Sequence, residues 1–238
     1  MSIVDFTLDG TVAVITMDNG ENRQNLAFAR AMGKAIDDAL ADESVTAMII
    51  TSAGEKIFSA GVDLEWMMDR FANNALDDMR AFMYGMNDVF KKCLLAPVPV
   101  IAAINGHAFG NGAILSCACD FRFMKSDRGF FCFPEVDVRI PFLPGMVAFV
   151  KKAIPYYKFN EMKLTGKRVA APELEEHHII EKACVDKDDL MAQALAFART
   201  FNKQRGIFGE HKRRLHKHIV DIIDKEDPEY IEPLNLMM

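Results

Sequence analysis

Apolar and polar positions follow two spacings in the N-terminal part of the chain. Residues 5–8 and 12–16 are strand-like and flank Asp9-Gly10, a dipeptide typical of a tight turn, so they predict a β-hairpin. Apolar residues of 26–40 recur at helical spacing. The short, partly β-branched run 47–51 predicts a buried strand. The chain is therefore expected to open with a strand pair, a helix and a further strand.

The same order continues through the middle of the chain. Asp63 is predicted to cap a helix, and Pro97 and Pro99 are predicted to end the next one. The further predicted elements are a helix in 74–95, a strand at 100–104, a short buried helix at 112–118, a strand at 121–124, an extended segment at 130–133, and mostly helix after Lys151 with an apolar return at 178–185. This alternation predicts an α/β fold with buried parallel strands. We divide it into a core, residues 1–185, and a helical C-terminal region, residues 186–238.

Composition and charge restrict the class of protein. The 238 residues are 50% hydrophobic and carry a net charge of −6, which fits a large core and gives no indication of a nucleic-acid partner. The basic run 211–218 has helical spacing and predicts a solvated helix face or a site for an anionic ligand, rather than an RNA-binding patch. The five cysteines and the histidines match no metal or disulfide spacing, so we expect buried thiols and no metal.

The sequence contains no recognisable membrane-spanning or targeting segment. No apolar run approaches the roughly 20 residues that span a bilayer. Strand-like sequence from Ile3 leaves no room for a signal peptide, and residues 235–238 differ from a peroxisomal signal. We therefore expect a cytoplasmic location and no membrane association.

Two glycine-containing segments are candidates for ligand binding. Residues 58–64 and 105–112 each precede a predicted helix, and small residues there can present backbone N–H groups to a ligand oxygen. Ordinary loop-to-helix turns are the alternative. The second segment lacks the spacing of a dinucleotide loop and the Lys-Ser/Thr of a nucleotide loop. Its His107 is either a general base or, as we favour, a histidine satisfied by the backbone.

Glu135 is the candidate acid–base residue. It lies between Phe133-Pro134 and Val136, and an acid in such surroundings is a surface-turn residue or else is paired or functional. A buried carboxylate facing backbone N–H donors suits removal of a proton next to a carbonyl group. A second acid in the loop would suggest water addition, but position 114 is Ile.

Five segments, in this order, resemble the crotonase superfamily, which is the enoyl-CoA hydratase/isomerase family. They are FSAGVDL at 58–64, PVIAAINGHAFG at 99–110, CDFR at 119–122, PEV at 134–136 and LTGKR at 164–168. The resemblance runs from about Val4 to at least Thr200. It implies a spiral of ββα units with a helical C-terminal region that packs the chain into trimers. We therefore expect a homotrimer or a hexamer.

The resemblance also implies a site. An acyl-CoA thioester oxygen would be held by the backbone N–H groups of Val62 and Asn111, with Glu135 as the catalytic carboxylate. Residues matching the CoA-binding positions are Ala60, Gly61, Asp63 and Gly110, and the expected pocket wall comprises Ile114, Phe133 and Arg139. The family usually has Gly at position 139 and Gly or Ala at position 111.

The implied reaction follows from the acids that are present. Hydratases of the family use two glutamates, and the first of these positions is Ile114 here. A lone glutamate at position 135 resembles the Δ3,Δ2-enoyl-CoA isomerases, which need no cofactor beyond the CoA thioester substrate. The alternatives are another crotonase reaction, such as 2-enoyl-CoA hydration, hydrolysis, dehalogenation or C–C cleavage, and a non-catalytic acyl-CoA-binding homologue.

Overall fold

Short strands alternate with helices in the computed structural model, which describes residues 3–235. The strands are β1 (Val4–Asp9), β2 (Val12–Met17), β3 (Arg23–Gln24), β4 (Ala47–Ser52), β5 (Ile57–Ser59), β6 (Gly61–Val62), β7 (Val100–Ile104), β8 (His107–Phe109), β9 (Phe121–Lys125), β10 (Phe131–Cys132) and β11 (Lys182–Cys184). The helices are α1 (Leu26–Ala41), α2 (Leu64–Ala72), α3 (Leu76–Leu95), α4 (Asn111–Ala118), α5 (Glu135–Val138), α6 (Pro144–Ala153), α7 (Tyr156–Thr165), α8 (Ala171–Glu176), α9 (Lys187–Ala198), α10 (Arg205–Lys225) and α11 (Pro228–Ile231).

The main sheet has six strands in the order β1-β2-β4-β7-β9-β11. The predicted hairpin is confirmed, because β1 and β2 pair antiparallel around the Asp9-Gly10 turn. The other neighbours pair in parallel, which confirms the α/β fold. Every residue of β4 and β7 is buried. A strand that is covered on both faces has no polar face, and this accounts for the continuous apolar runs in the sequence.

Successive residues of β4 face two different cores. Met48 and Ile50 belong to a large cluster that also contains residues of α1 and α3, such as Phe28 and Phe90. Ile49 belongs to a smaller cluster that is closed by α9. Because side chains alternate across a strand, one run of apolar residues joins both layers of helices to the sheet.

Capping side chains set where three helices begin. The carboxylate of Asp63 accepts a hydrogen bond from the Trp66 N–H, as predicted for the start of α2. Asn25 caps α1 and Asp186 caps α9 in the same way. The side chains of Asn25 and Asp63 also contact each other, with Nδ2 and Oδ2 3.1 Å apart. The starts of α1 and α2 are thus fixed against one another.

Small secondary sheets carry the glycine-containing segments. Strands β10, β8 and β5 form a three-stranded sheet, and β3 pairs with β6 in parallel. These strands contain two or three residues each; the sequence predicts the segments of β5, β6 and β8 as loops and that of β10 as extended, and no prediction covers β3. They are too short to show a periodic pattern, yet they hold residues 58–64 and 105–112 side by side.

The basic run 211–218 lies on α10, which packs against α3 and α6. Most of its side chains are exposed, as predicted for a solvated face, but Lys212 and His216 are buried. The Lys212 Nζ lies 2.6 Å from Asp120 Oδ2 and donates to the Cys93 carbonyl oxygen at 2.9 Å. Burial lowers the pKa of His216 to about 4. The burial of Lys212 and His216 shows that this face of α10 packs against the rest of the protein.

Other predictions concern composition and the C-terminus. All five cysteines are free and buried. Among residues 3–235 no group of three or more His, Cys, Asp or Glu side chains could hold a metal ion. In the same range no helix is both long enough and apolar enough to span a bilayer. Residues 236–238 of the C-terminal tetrapeptide lie outside the described part, and the division at residue 185 stays a prediction.

Candidate active site

A mainly apolar cavity of about 260 Å³ lies where α2, α3, α4 and α6 meet the segment around Glu135. Among the residues of 3–235 that line it, Glu135 is the only one with an ionisable side chain, and four are methionines. The lining residues are Ala60, Val62, Leu64, Met67, Phe82, Met83, Met86, Gly110, Asn111, Ile114, Pro134, Glu135, Val138, Ile140, Pro141, Phe142, Leu143 and Met146. The cavity therefore suits an apolar chain with one polar end.

Glu135 opens the short helix α5, for which Pro134 is the N-cap. Its carboxylate lies beside the start of α4, because a methyl group placed on Gly110 would be 3.0 Å from Glu135 Oε1. The other oxygen, Oε2, is buried and has no hydrogen-bond partner within residues 3–235. A buried carboxylate oxygen without a donor favours the protonated form of the acid.

The pKa of Glu135 follows from this environment. Burial raises it to about 7, and the residue's own backbone N–H and the charge of Lys163 oppose the rise. Lys163 lies over the ring of Phe142, with Nζ 3.5 Å from the centroid, and Phe142 lines the cavity. A carboxylic acid that titrates near neutral pH can both accept and return a proton. No motif in the sequence points to Lys163, which lies on the separate helix α7.

Val62 is the first of the two expected N–H donors. Asp63, the next residue, donates its N–H to the Gln24 carbonyl oxygen at 2.9 Å. Successive N–H groups of an extended strand point to opposite sides, so the Val62 N–H points away from β3. Val62 lines the cavity. Val62 thus combines an N–H on the side of the strand away from β3 with a position in the cavity wall, as expected of a donor to a ligand oxygen.

Asn111 is the second expected donor. It is the first residue of α4, and Gly110 before it has a positive φ of 51°. The first N–H groups of a helix have no partner in the helix itself, and the helix dipole adds roughly half a positive charge there. Asn111 lines the same cavity as Val62 and Glu135. Its side-chain Oδ1 is buried without a partner in the described chain.

The two donor segments touch at Gly61. This residue has φ +82°, and a methyl group on it would lie 2.7 Å from the Phe109 carbonyl oxygen and 3.1 Å from the Asn111 nitrogen. Only glycine allows this approach, because it lacks the Cβ that would collide and it tolerates a positive φ. The structure thus places the Val62 and Asn111 segments in contact.

The remaining predicted site residues fall into two groups. Ala60, Gly110 and Ile114 line the cavity, and Ile114 is an apolar part of its wall. Gly61 and Asp63 flank Val62 without lining the cavity.

Phe133 does not form the pocket wall as expected. It is fully buried, and its ring packs edge-on against Phe131, Phe142 and Phe159. It therefore supports Phe142, which does line the cavity, from behind.

Arg139 is also absent from the cavity wall. Its side chain is exposed, and its backbone N–H donates to the Glu135 carbonyl oxygen at the end of α5. It adopts the left-handed conformation, with φ 61° and ψ 35°. The usual Gly at this position of the family therefore has a conformational reason, since glycine adopts that region without strain.

His107 matches the interpretation that we favoured. Its Nδ1 accepts a hydrogen bond from the Phe130 N–H at 3.2 Å, and its ring stacks on Phe109. Burial lowers its pKa, and the charges of Arg168 and Arg128 act in the same direction. His107 is absent from the residues that line the cavity. The structure thus gives it a backbone partner and not a position over the ligand space.

Comparison with known proteins agrees with the fold. Residues 7–233 match the model of the enoyl-CoA hydratase/isomerase family, so the chain belongs to that family. A carnitinyl-CoA dehydratase of Salmonella typhi is 34% identical over 194 residues, which cover 81% of this chain and 72% of the relative. The family explains the order of the five segments along the sequence.

Solved structures share the fold. An enoyl-CoA hydratase from Bacillus halodurans superposes with a TM-score of 0.86 and 20% identity over 97% of this chain and 93% of its own. A Mycobacterium tuberculosis protein, described as an enoyl-CoA isomerase in one structure and as a probable enoyl-CoA hydratase in another, gives in the first a TM-score of 0.84 and 23% identity over 98% of each chain. The chain therefore has the crotonase fold, including its helical C-terminal region.

Proposed function

We propose that this protein is a Δ3,Δ2-enoyl-CoA isomerase, which moves the double bond of a 3-enoyl-CoA into conjugation with the thioester. The observation that carries this proposal is the composition of the cavity wall. Glu135 is its one ionisable side chain among the described residues, and the position of a second acid is occupied by Ile114. An acyl-CoA substrate is in keeping with the family.

The proposed reaction is a proton transfer between two carbons. Glu135 takes a proton from C2, and the electrons of that C–H bond spread over a dienolate that ends at the thioester oxygen. The N–H groups of Val62 and Asn111 stabilise the negative oxygen, and the start of α4 adds its dipole. Protonated Glu135 then gives the proton to C4, which leaves the double bond between C2 and C3. No atom is gained or lost.

Exclusion of water separates isomerisation from hydration. Ile114 and the methionine and phenylalanine side chains of the cavity offer no hydrogen-bond partner for a nucleophilic water. The dienolate and its conjugated product would therefore meet few water molecules during the proton transfer. The apolar wall thus favours return of the proton to carbon over addition of water.

Hydration or dehydration of a CoA thioester is the second candidate. Both Glu135 and Asn111 line the cavity, and each has a buried side-chain oxygen without a partner in residues 3–235. Two such acceptors can hold a water or a substrate hydroxyl group. The Salmonella relative is a carnitinyl-CoA dehydratase, which is a further reason to test this chemistry.

A paired assay decides between the two candidates. The purified protein receives either a 3-enoyl-CoA or a 2-enoyl-CoA, and the conjugated-enoyl absorbance is followed. We expect the absorbance to rise with the first substrate and to stay nearly constant with the second. If the 2-enoyl absorbance falls at a rate that rivals isomerisation, hydration is the better assignment. If neither changes, the protein is an acyl-CoA-binding homologue or catalyses another reaction of the family.

The pH dependence of isomerisation follows from the pKa of Glu135. The base must be ionised to take a proton, and its pKa is raised to about 7, so kcat/KM should rise with pH and level off above about 7. Lys163→Gln removes a charge that lowers this pKa and should move the midpoint to higher pH. Profiles of both proteins with a 3-enoyl-CoA measure the midpoints. A wild-type midpoint near the ordinary glutamate value would contradict the raised pKa of Glu135, and an unchanged midpoint in Lys163→Gln would contradict the influence of Lys163 on that pKa.

Assembly and cofactor use complete the proposal. On the family resemblance we propose a homotrimer or hexamer in which the helical C-terminal region, residues 186–238, contributes to the interfaces. The proposed chemistry needs no cofactor or metal, because one carboxylate and two backbone donors account for every step.

A further inference from the structure

Gln24 lies between the two segments that carry the proposed oxyanion donors. It is fully buried at the end of β3, next to the cap residue of α1. No motif in the sequence marks Gln24 as a functional residue, since it is one of several amides in the polar segment 19–25. Its hydrogen bonds reach both donor segments.

The side chain of Gln24 holds the Asn111 segment. Asn111 Nδ2 donates to Gln24 Oε1 at 2.6 Å, and Gln24 Nε2 lies 3.5 Å from the Asn111 carbonyl oxygen. Both partners are buried. The first contact exists only because position 111 carries an amide side chain, where the family usually has Gly or Ala.

The same residue holds the Val62 segment from both sides. The Gln24 carbonyl oxygen accepts the Asp63 N–H at 2.9 Å. Gln24 Nε2 donates to Ser59 Oγ at 3.1 Å, and that hydroxyl oxygen also accepts the Gly61 N–H at 3.2 Å. Residues 61 and 63, on either side of Val62, are thus tied to Gln24 directly or through Ser59.

We propose that Gln24 is a positioning residue that fixes the Val62 and Asn111 N–H groups relative to one another, so that both reach one thioester oxygen. The predicted effect of Gln24 on the rate rests on the proposed function. Its predicted effect on the carbonyl group of a bound acyl-CoA does not depend on which reaction the protein catalyses. Gln24 does not line the cavity, so it acts through the two donors. The hydrogen bonds of the Gln24 side chain also hold the Asn111 side chain, which is larger than the Gly or Ala usual at that position in the family.

The geometry sets the size of the effect. An oxyanion hole needs its donors about 2.7–3.1 Å from the developing oxygen, and removal of one donor costs roughly 10²–10³ in kcat. Loss of the Gln24 side-chain hydrogen bonds would displace the Val62 and Asn111 N–H groups without removing them. We therefore expect Gln24→Met, which keeps the volume but removes every side-chain hydrogen bond, to lower kcat by about 10–100-fold.

The test combines kinetics with a spectroscopic readout. In the wild type, polarisation by the two donors should lower the carbonyl stretching frequency of bound, isotope-labelled 2-enoyl-CoA, as seen by infrared difference spectroscopy. Gln24→Met should lose much of that shift, while the Kd of a saturated acyl-CoA changes less than the kcat. Thr51→Val is the matched control, because it removes a buried hydrogen bond to the Ala103 carbonyl oxygen away from the cavity.

A second variant covers the case in which Gln24→Met does not fold. Asn111→Ala keeps the backbone donor and removes the contact to Gln24 Oε1, so it should reduce the carbonyl shift as well. In a double mutant the two losses should not add, because both break the same link. A folded Gln24→Met or Asn111→Ala protein with the full wild-type carbonyl shift would overturn the inference. A wild type that shifts the carbonyl but does not isomerise would overturn the proposed function alone.

Discussion

Replacement of Glu135 by glutamine is expected to lower kcat for 3-enoyl-CoA isomerisation by about 10²–10⁴-fold, the usual contribution of a positioned acid–base residue. The amide has nearly the same shape but cannot take a proton from C2. The apolar wall around it provides no ionisable substitute among the described residues. The rate is measured from the rise of conjugated-enoyl absorbance under saturating substrate.

The control for this variant is Glu65→Gln. Glu65 lies in the first turn of α2, is exposed and does not line the cavity, so its replacement should leave kcat unchanged. Binding of a saturated acyl-CoA, measured by calorimetry, should persist in Glu135→Gln and would show that the cavity is intact. Equal activity of Glu135→Gln and wild type would remove Glu135 from the mechanism.

Gly61→Ala is expected to lower kcat by about 10²–10³-fold, as does the loss of one oxyanion donor in known enzymes. The added methyl group would meet the Phe109 carbonyl oxygen at 2.7 Å, and neither backbone segment can retreat like a flexible side chain. The Val62 and Asn111 segments would have to separate. Steady-state kinetics with a 3-enoyl-CoA measure the loss, and thermal unfolding reports how much of it is stability.

Gly10→Ala is the control for Gly61→Ala, because it introduces the strain of a positive φ without a steric clash. Gly10 also has a positive φ, of 61°, but a methyl group there would meet nothing within 4 Å. It should cost only the left-handed strain of about 1–2 kcal/mol in stability, with kcat preserved. A folded Gly61→Ala protein with wild-type kcat would show that contact between the two segments is not needed for the reaction.

The sequence was sufficient to predict those elements whose structure depends on local signals such as turn dipeptides, helix caps and apolar runs. Asp9-Gly10 predicted the first hairpin, and Asp63 was predicted as the cap of α2. The unbroken apolar run of β4 predicted a strand that is covered on both faces. The order of the five segments predicted the family, and with it the crotonase fold.

Contacts between residues that are distant in sequence could not be predicted from local sequence patterns. Strands β5, β6 and β8 have two or three residues each, so their pairing depends on neighbours that are distant in sequence. Lys212 and His216 looked like the rest of a solvated face, and only the packing of α10 on α3 and α6 shows that they are buried.

Side-chain direction explains the two departures at the pocket wall. Phe133 and Arg139 lie close to Glu135 in sequence, which suggested that all three face the ligand. Phe133, which follows β10, is directed into the core, and Arg139, which follows the one-turn helix α5, is directed to solvent. Sequence proximity therefore indicated the right neighbourhood but not which side chains face the cavity.

The contact between Gln24 and Asn111 joins residues that are 87 positions apart. Such a contact requires that β3, β6 and the start of α4 lie together. A chain that has folded its hairpin and its separate helices holds every residue of the site but not yet its geometry. The geometry of the site is thus a property of the assembled tertiary structure, so partial unfolding that separates these segments would abolish the site while each helix remained intact.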